Sequence, residues 1–572
     1  MDTSNNSGWA RSFKARTGRA PRVLHIGNIA NNAYNNAKLL IEVGFDCDVI
    51  CYDYYHIMGC PEWEDADFEN ILLNDFYPDW RDVNLNGFVR PIWFVQGPVD
   101  LCVAFLLARK DQKYDHAKKL QLVLALFNHS ISLNLQQRIN MFTAGLRHRF
   151  GAHLRRKLRR ATTLDSNHLA VLINQRLLFV GLLGATVVAR VFVLIRDCLK
   201  GVVRALGLNQ WHWAYLRTPQ IVPPIPNSHS AQQFLCEKWA TLFPEGCVPP
   251  SKEDLLKHPA NSADWMLLLK SYDIIIGYST DPIYPMLAGV PYFAFEHGTL
   301  RHIPYQDDYQ GRITAASYHE ATHVFVTNFD CVASAERLVG NRYTFINHPF
   351  DDDHGQNITG GLEQRTRLKL KLDADLIFFF PTRQDWVEGN GYADKANDVF
   401  FRAMATLRAT GVRVGAVCCN WGRNVMQSKA LIKSLSLDAH VEWTSPLPVI
   451  PFERMCIAAD IVVDQFKLGA FGGVVFKAMA VGAPVLTYLN EPLLKAQYPV
   501  LPPVINCRTE QDIVEQISVL RSDALKLKTL GRQSKEWIST HHAKKDTVNL
   551  QIDQFQKVLA DITTHGNFQV IA

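Results

Sequence analysis

A glycine-containing turn between a short apolar strand and an apolar helix is the part of this sequence whose residue types first indicate chemistry. It lies in DIVVDQFKLGAFGGVVFKAMAVGAPVLTYLNE, residues 460–491. Gly469, Gly472 and Gly473 allow backbone N–H groups to approach a ligand closely, and the positive end of the helix that begins near Gly472 points at the same place. An anion such as a diphosphate suits this arrangement. Glycines that only allow tight packing of strand on helix would give the same pattern.

A second polar group follows a strand-like run in FAFEHGTLRHIPY, residues 293–305. The run ends at Glu296 and His297, with Arg301 close by. A residue at the end of a parallel strand faces the cleft in which α/β proteins bind ligands. His297 is therefore a candidate to contact a ligand, and Glu296, the nearest carboxylate, is a candidate for acid–base work. The alternative for the histidine is a structural role.

A third polar group follows the first strand, in GNIANNAYNNAK, residues 27–38. After Gly27, the asparagines Asn28, Asn31 and Asn32 offer amide groups that can donate hydrogen bonds to a polar ligand and accept them from it. Helix capping by Asn31 or Asn32 is the alternative interpretation. Asp281, in the STDP segment that follows another strand, is predicted to face the same cleft.

Strand-like and helix-like runs alternate along two parts of the chain. This alternation predicts two parallel sheets, which would position the loops described above. RVLHIG at 22–27, a helix ending at Gly44 and CDVICYD at 47–53 form a βαβ pattern. The rhythm returns over 271–347, and a second series covers 376–489. The predicted fold class is α/β, with two Rossmann-like doubly wound domains and a helical insertion in the N-terminal domain. The first turn has a single glycine, so a dinucleotide fingerprint is absent.

The acidic stretch DDDHGQNITGG at 351–361 is the best candidate for a linker between the two domains. The predicted organisation is a disordered tail over 1–20, an N-terminal domain over 21–355 with its insertion at about 100–235, a C-terminal domain over 362–545 and a C-terminal helix over 546–572.

The insertion combines a densely basic segment at 146–160 with an apolar run at 177–195 that contains Arg190. Two tryptophans follow it. Basic residues on lipid headgroups and tryptophans at the boundary favour contact with a membrane surface through residues 146–213. A buried helical hairpin and a membrane-spanning helix are the alternatives, and the second needs roughly 20 apolar residues.

Composition limits the function classes. The chain has 572 residues, 48% of them hydrophobic, and a formal net charge of +5, so its charge balance does not indicate a nucleic-acid partner. Its 12 cysteines show no CxxC and no metal-ligand spacing, which predicts reduced thiols and no metal. The polar, basic start of the sequence is unlike a signal peptide. These features predict a cytoplasmic protein, peripheral on the cytoplasmic face of the membrane.

The 460–491 segment resembles the donor-binding signature of GT-B glycosyltransferases of the retaining family 4 type (glycosyl transferases group 1). That signature runs through an acidic residue, E-x-F-G, a few apolar residues and E-A-M-A-x-G-x-P-V. The matching positions here are Phe471, Gly472, Ala478, Met479, Ala480, Gly482, Pro484 and Val485. The order of elements fits over residues 21–60 and 270–570.

The resemblance implies an N-terminal acceptor-side domain and a C-terminal nucleotide-sugar-binding domain, with no essential metal or cofactor. It implies that Arg383 and Lys395, in the loop after the first strand of the second domain, neutralise the donor diphosphate and so stabilise the leaving group. It also places the loop of Gly27 and Asn28 near the acceptor and the donor phosphate. His297 and Gly298 resemble the histidine–glycine element of GT-B acceptor domains, which implies that His297 contacts the transferred sugar or orients the acceptor hydroxyl.

The sequence departs from that signature at both of its glutamates, which fall on Gly469 and Lys477. A carboxylate accepts hydrogen bonds from ribose hydroxyls, whereas an ammonium accepts none. Lys477 could pair with a phosphate, with a carboxylate on the transferred sugar, or be a solvated helix residue. Asp464 and Gln465, at the end of the preceding strand, are the simplest substitutes for the missing carboxylates.

The leading hypothesis is a retaining hexosyltransferase. It would move a sugar from a nucleoside-diphosphate sugar to a carbohydrate or lipid-linked glycan acceptor, in membrane-associated synthesis of a cell-surface polysaccharide or glycan. Transfer of a phosphopolyol from a CDP-linked donor is one alternative. A non-catalytic scaffold of an assembly complex is the other, because a fold does not determine a function.

Overall fold

The computed structural model describes residues 6–52, 56–69, 78–132, 228–256, 263–353, 355, 359–387 and 394–565. The chain divides into two compact units, one of Met1–Ser132 with Ser228–Ala572 and one of Leu133–Asn227. The second unit lies outside the described residues. The predicted membrane-contacting segment 146–213 therefore lies outside them too, and its role stays a prediction.

The first sheet has seven strands, all parallel, in the order β3-β2-β1-β4-β5-β6-β7. The strands are β1 (Arg22–Ile26), β2 (Asp46–Cys51), β3 (Phe94–Gln96), β4 (Ile274–Tyr278), β5 (Phe293–Phe295), β6 (His323–Val326) and β7 (Tyr343–Phe345). The insertion predicted at about 100–235 falls between β3 and β4.

The helices of this part of the chain are α1 (Asn6–Thr17), α2 (Asn32–Glu42), α3 (Pro61–Asp65), α4 (Val99–Lys110), α5 (Tyr114–Ser132), α6 (Ser228–Thr241), α7 (Lys252–Leu256), α8 (Ala263–Lys270), α9 (Ile283–Leu287), α10 (Tyr309–His319) and α11 (Val332–Val339).

The second sheet has six parallel strands in the order β10-β9-β8-β11-β12-β13. They are β8 (Leu376–Phe380), β9 (Val414–Cys419), β10 (Val441–Thr444), β11 (Ile461–Val463), β12 (Val485–Thr487) and β13 (Ile505–Asn506). The accompanying helices are α12 (Gly361–Leu372), α13 (Asn397–Ala409), α14 (Val425–Ser434), α15 (Val449–Ala458), α16 (Gly473–Ala480), α17 (Glu491–Lys495), α18 (Glu510–Leu520), α19 (Ala524–His541) and α20 (Lys544–His565).

Continuous apolar runs form these strands because helices cover both faces of a parallel sheet. Every residue of β8, LIFFF, is buried, and so is every residue of β4. The two sheets confirm the predicted α/β fold class with two Rossmann-like domains. Each sheet changes direction at one point, between β1 and β4 in the first and between β8 and β11 in the second. Ligands of such sheets bind at the carboxyl ends of the strands beside this point.

The final helix, α20, returns from the second domain to the first sheet. The Phe555 ring, fully buried, lies 5.0 Å from the ring of Phe293 and 6.2 Å from that of Phe325. Gln551 donates a hydrogen bond of 2.7 Å from Nε2 to Asn36 Oδ1 in α2. The two domains are thus connected by this helix as well as by the chain around residue 355.

The prediction of a disordered tail over residues 1–20 is wrong for Asn6–Thr17, which form helix α1. Ala10 in this helix is buried, and the indole of Trp9 stacks on Phe45 with 5.6 Å between ring centroids. The polar composition of the segment hid these contacts, because they are made with residues distant in sequence.

Candidate functional site

The site is centred on the direction change of the second sheet, where β8 and β11 end side by side. Thr382 follows β8, and its hydroxyl donates a hydrogen bond of 2.8 Å to Asp464 Oδ1 after β11. Gln465 is fully buried next to it, and its Nε2 donates to the carbonyl oxygen of Ala470 at 2.7 Å. Burial raises the pKa of Asp464, which Lys395 and Thr382 partly oppose. Asp464 and Gln465 therefore form the floor of the site.

Lys395 is a half-buried cation beside this floor. Its Nζ donates a hydrogen bond of 3.1 Å to Gln465 Oε1. Burial lowers the pKa of Lys395, the charges of Arg383 and Arg301 lower it further, and Asp464 opposes them. Arg301 follows β5 in the first domain, so cations from both domains lie close enough to act on one ammonium. An anion between them would relieve this repulsion.

Arg383 is the more exposed cation of the site. Its guanidinium lies 3.5 Å from Asp385 Oδ2, and 42% of its side chain is exposed. The guanidinium carbon also lies 5.9 Å from the centre of the Trp421 ring. The long ion-pair distance and the exposure leave donors on Arg383 that can bind an anion.

The three glycines of the turn are explained in two different ways. Gly469 has φ of +75° and lies where a Cβ would be 2.8 Å from the Tyr488 ring. At Gly472, the N-cap of α16, a Cβ would lie 2.4 Å from Asp464 Oδ2. A Cβ on Gly473 would meet no atom within 4 Å. Packing thus explains the first two glycines, whereas Gly473 presents the start of α16 to open space, as an anion site requires.

Phe471 lies in the core rather than on the surface of the turn. Its ring lies 4.7 Å from Phe476 and 5.6 Å from Phe329, which precedes α11 in the first domain. The residue therefore contributes to the contact between the domains, and its predicted contact with the donor stays a prediction.

Lys477 makes an ion pair between the domains. Its Nζ donates a hydrogen bond of 2.8 Å to Glu64 Oε1 in α3, and the same oxygen accepts one of 3.1 Å from Asn35 Nδ2. Burial would raise the pKa of Glu64, but Lys477 and the other donors outweigh it and hold that pKa below its ordinary value. None of the three roles predicted for Lys477 includes Glu64. No local pattern could have done so, because the partners are 413 positions apart.

His297 has a ring that stacks but forms no hydrogen bond. Both ring nitrogens are buried without a partner. The ring lies 5.2 Å from that of Phe295, 5.7 Å from that of Tyr278 and 6.1 Å from that of His348. Burial, and then His348, lower the pKa of His297 well below its ordinary value. The neutral imidazole therefore keeps one donor and one acceptor available at the end of β5.

Glu296, one residue earlier, is fully buried, and its carboxylate accepts hydrogen bonds from neighbouring residues. Its Oε2 accepts hydrogen bonds from Asn328 Nδ2 at 3.1 Å and from Thr327 N at 3.3 Å, and its Oε1 accepts one from Gly298 N. Burial raises the pKa of Glu296. These bonds hold the loop that carries His297, and the predicted acid–base role of Glu296 stays a prediction.

Arg301 is a residue of the cleft to which the sequence analysis gave no role. It pairs with Asp330 through Nε at 2.6 Å and Nη2 at 3.0 Å, and Nη2 also donates to Asn328 Oδ1 at 2.9 Å. A Cβ on Gly298 would lie 2.2 Å from its Nη1. The HGTLR spacing in residues 297–301 is the signal that could have identified it.

The asparagine side chains of the loop after β1 form hydrogen bonds within the protein. Asn28 Nδ2 donates to Gly59 O at 2.8 Å, and its Oδ1 accepts from Tyr34 N at 3.0 Å. Asn31 Nδ2 donates to Cys60 O at 2.8 Å, and Asn32 Nδ2 donates to Ile29 O at 2.8 Å. Asn31 is the N-cap residue of α2, but its side chain makes no capping bond. Sugar contacts by these amides would have to replace bonds already formed.

Gly27 and Asp281 lie against each other at the direction change of the first sheet. Gly27 has φ of +87°, and a Cβ there would lie 1.8 Å from Asp281 Oδ2. The Tyr52 hydroxyl donates a hydrogen bond to Asp281 Oδ1. Glycine at position 27 is therefore required by this carboxylate, and a ligand role for either residue stays a prediction.

The structure brings together Lys395, Asp464 and Gln465 on the second domain, with Arg383 and the first-domain Arg301 close enough to affect the pKa of Lys395. His297 lies at the end of β5 against Phe295, Tyr278 and His348. Lys477 is directed to the interface between the domains instead. Within the described ranges, no group of three or more His, Cys, Asp or Glu side chains could hold a metal ion.

Neither a protein family nor a curated protein matches this sequence. Among solved structures, the chain is similar to Anabaena HepE in complex with UDP-glucose, at 16% identity and a TM-score of 0.42 over 52% of this chain and 81% of that one. It is similar to the sucrose-phosphate synthase of Thermosynechococcus elongatus at 15% and 0.40, over 55% and 81%. It is similar to a TarM variant of S. aureus in a complex containing UDP at 12% and 0.38, over 52% and 58%. Likenesses of this size assign no function.

Proposed function

We propose that this chain is a GT-B glycosyltransferase that transfers a sugar from a nucleoside-diphosphate sugar to a carbohydrate acceptor. The observation that carries the proposal is the pair of cations Arg383 and Lys395 at the direction change of the second sheet, together with the start of α16, which is open at Gly473. Arg383 follows β8 and Lys395 contacts Gln465 after β11, at the carboxyl ends of strands where open parallel sheets bind ligands.

The donor diphosphate fits these cations on electrostatic grounds. Cleavage of the sugar–phosphate bond leaves negative charge on the diphosphate, and cations already in place stabilise that charge with little reorganisation. Without the ligand, burial destabilises the charged form of Lys395, as its lowered pKa indicates. Arg383 has the exposed donors to bind the other phosphate, and α16 adds its backbone N–H groups.

The acceptor end of the reaction fits His297. Its neutral ring has a free nitrogen lone pair and a free N–H, both buried and unpartnered. Such a ring can accept a hydrogen bond from a hydroxyl group of the acceptor and donate one to a sugar oxygen. Glu296 holds the loop that positions this ring through its bonds to Gly298 and Asn328.

The narrower assignments belong to the proposal and rest on the sequence. They are a retaining mechanism, a hexose donor, a role in cell-surface polysaccharide or glycan synthesis, and a peripheral membrane location through residues 146–213. In the part of the chain that the structure describes, no helix is both long and apolar enough to cross a membrane.

The test is calorimetric titration of the protein with UDP, GDP, CDP, dTDP and their sugars. Lys395→Met and Arg383→Gln each remove a charged donor, and loss of such a hydrogen bond weakens binding by roughly 10- to 100-fold. Arg413→Gln is the matched control, because Arg413 is exposed and pairs with Asp375 at 2.6 Å near the start of β9. It should leave affinity unchanged.

Two outcomes contradict the proposal. If no nucleotide or nucleotide sugar binds, the non-catalytic scaffold is favoured. If a nucleotide binds but neither cleft variant weakens it more than the control, the donor site lies elsewhere. Binding and turnover of a CDP-linked polyol, with phosphate in the product, would instead favour the phosphopolyol transferase.

A further inference from the structure

A cavity of about 360 Å³ lies in the first domain, apart from the cations of the proposed donor site. Its walls come from Cys60 and Glu62, from Trp80, from Gln96 at the end of β3 and from Asn128 in α5. The volume is in the range of small-molecule sites. None of the residues predicted from the sequence lines it.

The charges along this cavity are neutralised within the protein. Arg90 forms two hydrogen bonds of 2.8 Å with the two carboxylate oxygens of Glu62. Its Nη1 also donates to Gln96 Oε1 at 2.7 Å. A guanidinium bound to a carboxylate in this way is rigid and has no net charge to offer, so the cavity is not an anion site.

Several polar atoms around the cavity lack good partners. Asn128 Oδ1 and Trp80 Nε1 are buried and have no hydrogen-bond partner. The Trp80 indole and the Gln96 side chain both approach the Cys60 thiol, and Gln96 Nε2 also lies 3.8 Å from the Cys51 sulfur. Sulfur is a weak acceptor. One acceptor and two donors are therefore left poorly satisfied, and buried polar groups in this condition are uncommon in native proteins.

We propose that this cavity binds a sugar unit of the acceptor glycan. Hydroxyl groups both donate and accept, so one polyol ring can satisfy the Asn128 oxygen and the N–H groups of Trp80 and Gln96 together. The apolar parts of the wall, including Phe94 and Phe105, cover the C–H surface of such a ring.

The position of the cavity agrees with an acceptor site. The carbonyl oxygens of Gly59 and Cys60 are held by Asn28 and Asn31, so the cavity wall is fixed to the loop after β1. Glu62 shares α3 with Glu64, which pairs with Lys477 across the cleft. Calling the bound sugar part of the acceptor rests on the proposed function, whereas sugar binding by the cavity does not.

The experiment is saturation-transfer NMR on the full chain with glucose, galactose, mannose, N-acetylglucosamine, glucuronic acid, maltose, lactose and chitobiose, each titrated to obtain Kd. Trp80→Phe keeps an aromatic ring and removes the N–H donor, and Asn128→Ala removes the acceptor. Asn341→Leu, at an exposed asparagine between α11 and β7, is the control. Each cavity variant should raise Kd for the bound sugar by about 3- to 10-fold, the value of one neutral hydrogen bond, and the control should not.

The proposal is overturned if no sugar in the panel gives saturation transfer, or if both cavity variants bind as tightly as the control. Circular dichroism on the same samples checks folding, and nucleotide affinity separates this proposal from the function proposed above. Sugar binding that depends on Trp80 in a protein that binds no nucleotide would keep the cavity site and reject the transferase.

Discussion

The ion pair of Lys477 with Glu64 offers the sharpest test of how the two domains are held together. The pair is 2.8 Å long, with 22% of the lysine side chain and 10% of the glutamate side chain exposed. Lys477→Met removes the cation and leaves a buried carboxylate that keeps only the Asn35 amide among its hydrogen bonds at Oε1. Breaking a buried pair from one side costs about 3–5 kcal/mol. Since part of the lysine is in water, we expect about 2–3 kcal/mol.

The assay is chemical unfolding followed by circular dichroism for four proteins: wild type, Lys477→Met, Glu64→Gln and the double variant. Lys477→Met should be the least stable of the four. The double variant should recover at least about 1 kcal/mol relative to Lys477→Met, because contacting residues are coupled. A charge-exchanged protein, Lys477→Glu with Glu64→Lys, should also be more stable than Lys477→Glu alone.

The reasoning is refuted if Lys477→Met changes the free energy of unfolding by less than about 0.5 kcal/mol, the range of ordinary surface substitutions. It is also refuted if the two single effects simply add, since the residues would then not interact. In either case Lys477 would be free to contact a ligand, as one interpretation of the sequence allows.

Three further predictions follow from the same contacts. The pKa of Glu64 is lower in the folded protein than its ordinary 4.5. The unfolded state therefore binds more protons below that pH, and the stabilisation present above pH 4.5 is lost as the pH falls through the folded pKa. Lys477→Met should flatten this pH dependence of stability in acid-unfolding curves. Phe555→Ala should cost about 3–5 kcal/mol by opening a cavity between α20 and the first sheet, and an unchanged melting temperature would contradict that packing. Gly472→Ala should destabilise the protein because its Cβ meets Asp464, whereas Gly473→Ala should fold normally and weaken nucleotide binding by crowding the ligand; equal effects of the two on stability would contradict the different roles of these glycines.

Short-range patterns account for most of what could be predicted of the fold. The runs at β1, β4 and β8 are apolar throughout because both faces of each strand are buried, and this makes them recognisable without tertiary information. Sequence also identified the glycine turn before α16, since a strand, a flexible turn and a helix are adjacent in the chain. The α1 helix was missed because its stability comes from packing on Phe45 rather than from its own residues.

For the site, the sequence by itself determined which chemical groups stand at the ends of the strands: Arg383, Asp464 and Gln465 in one domain and His297 in the other. Only the tertiary structure decided how each group is used. It paired Lys477 with Glu64, joined the Asn28 and Asn31 amides to the chain at Gly59 and Cys60, and left the His297 ring without a partner. The physical reason is that a side chain's hydrogen bonds and pKa depend on neighbours brought close in space by folding, and those neighbours can be hundreds of residues away in the chain.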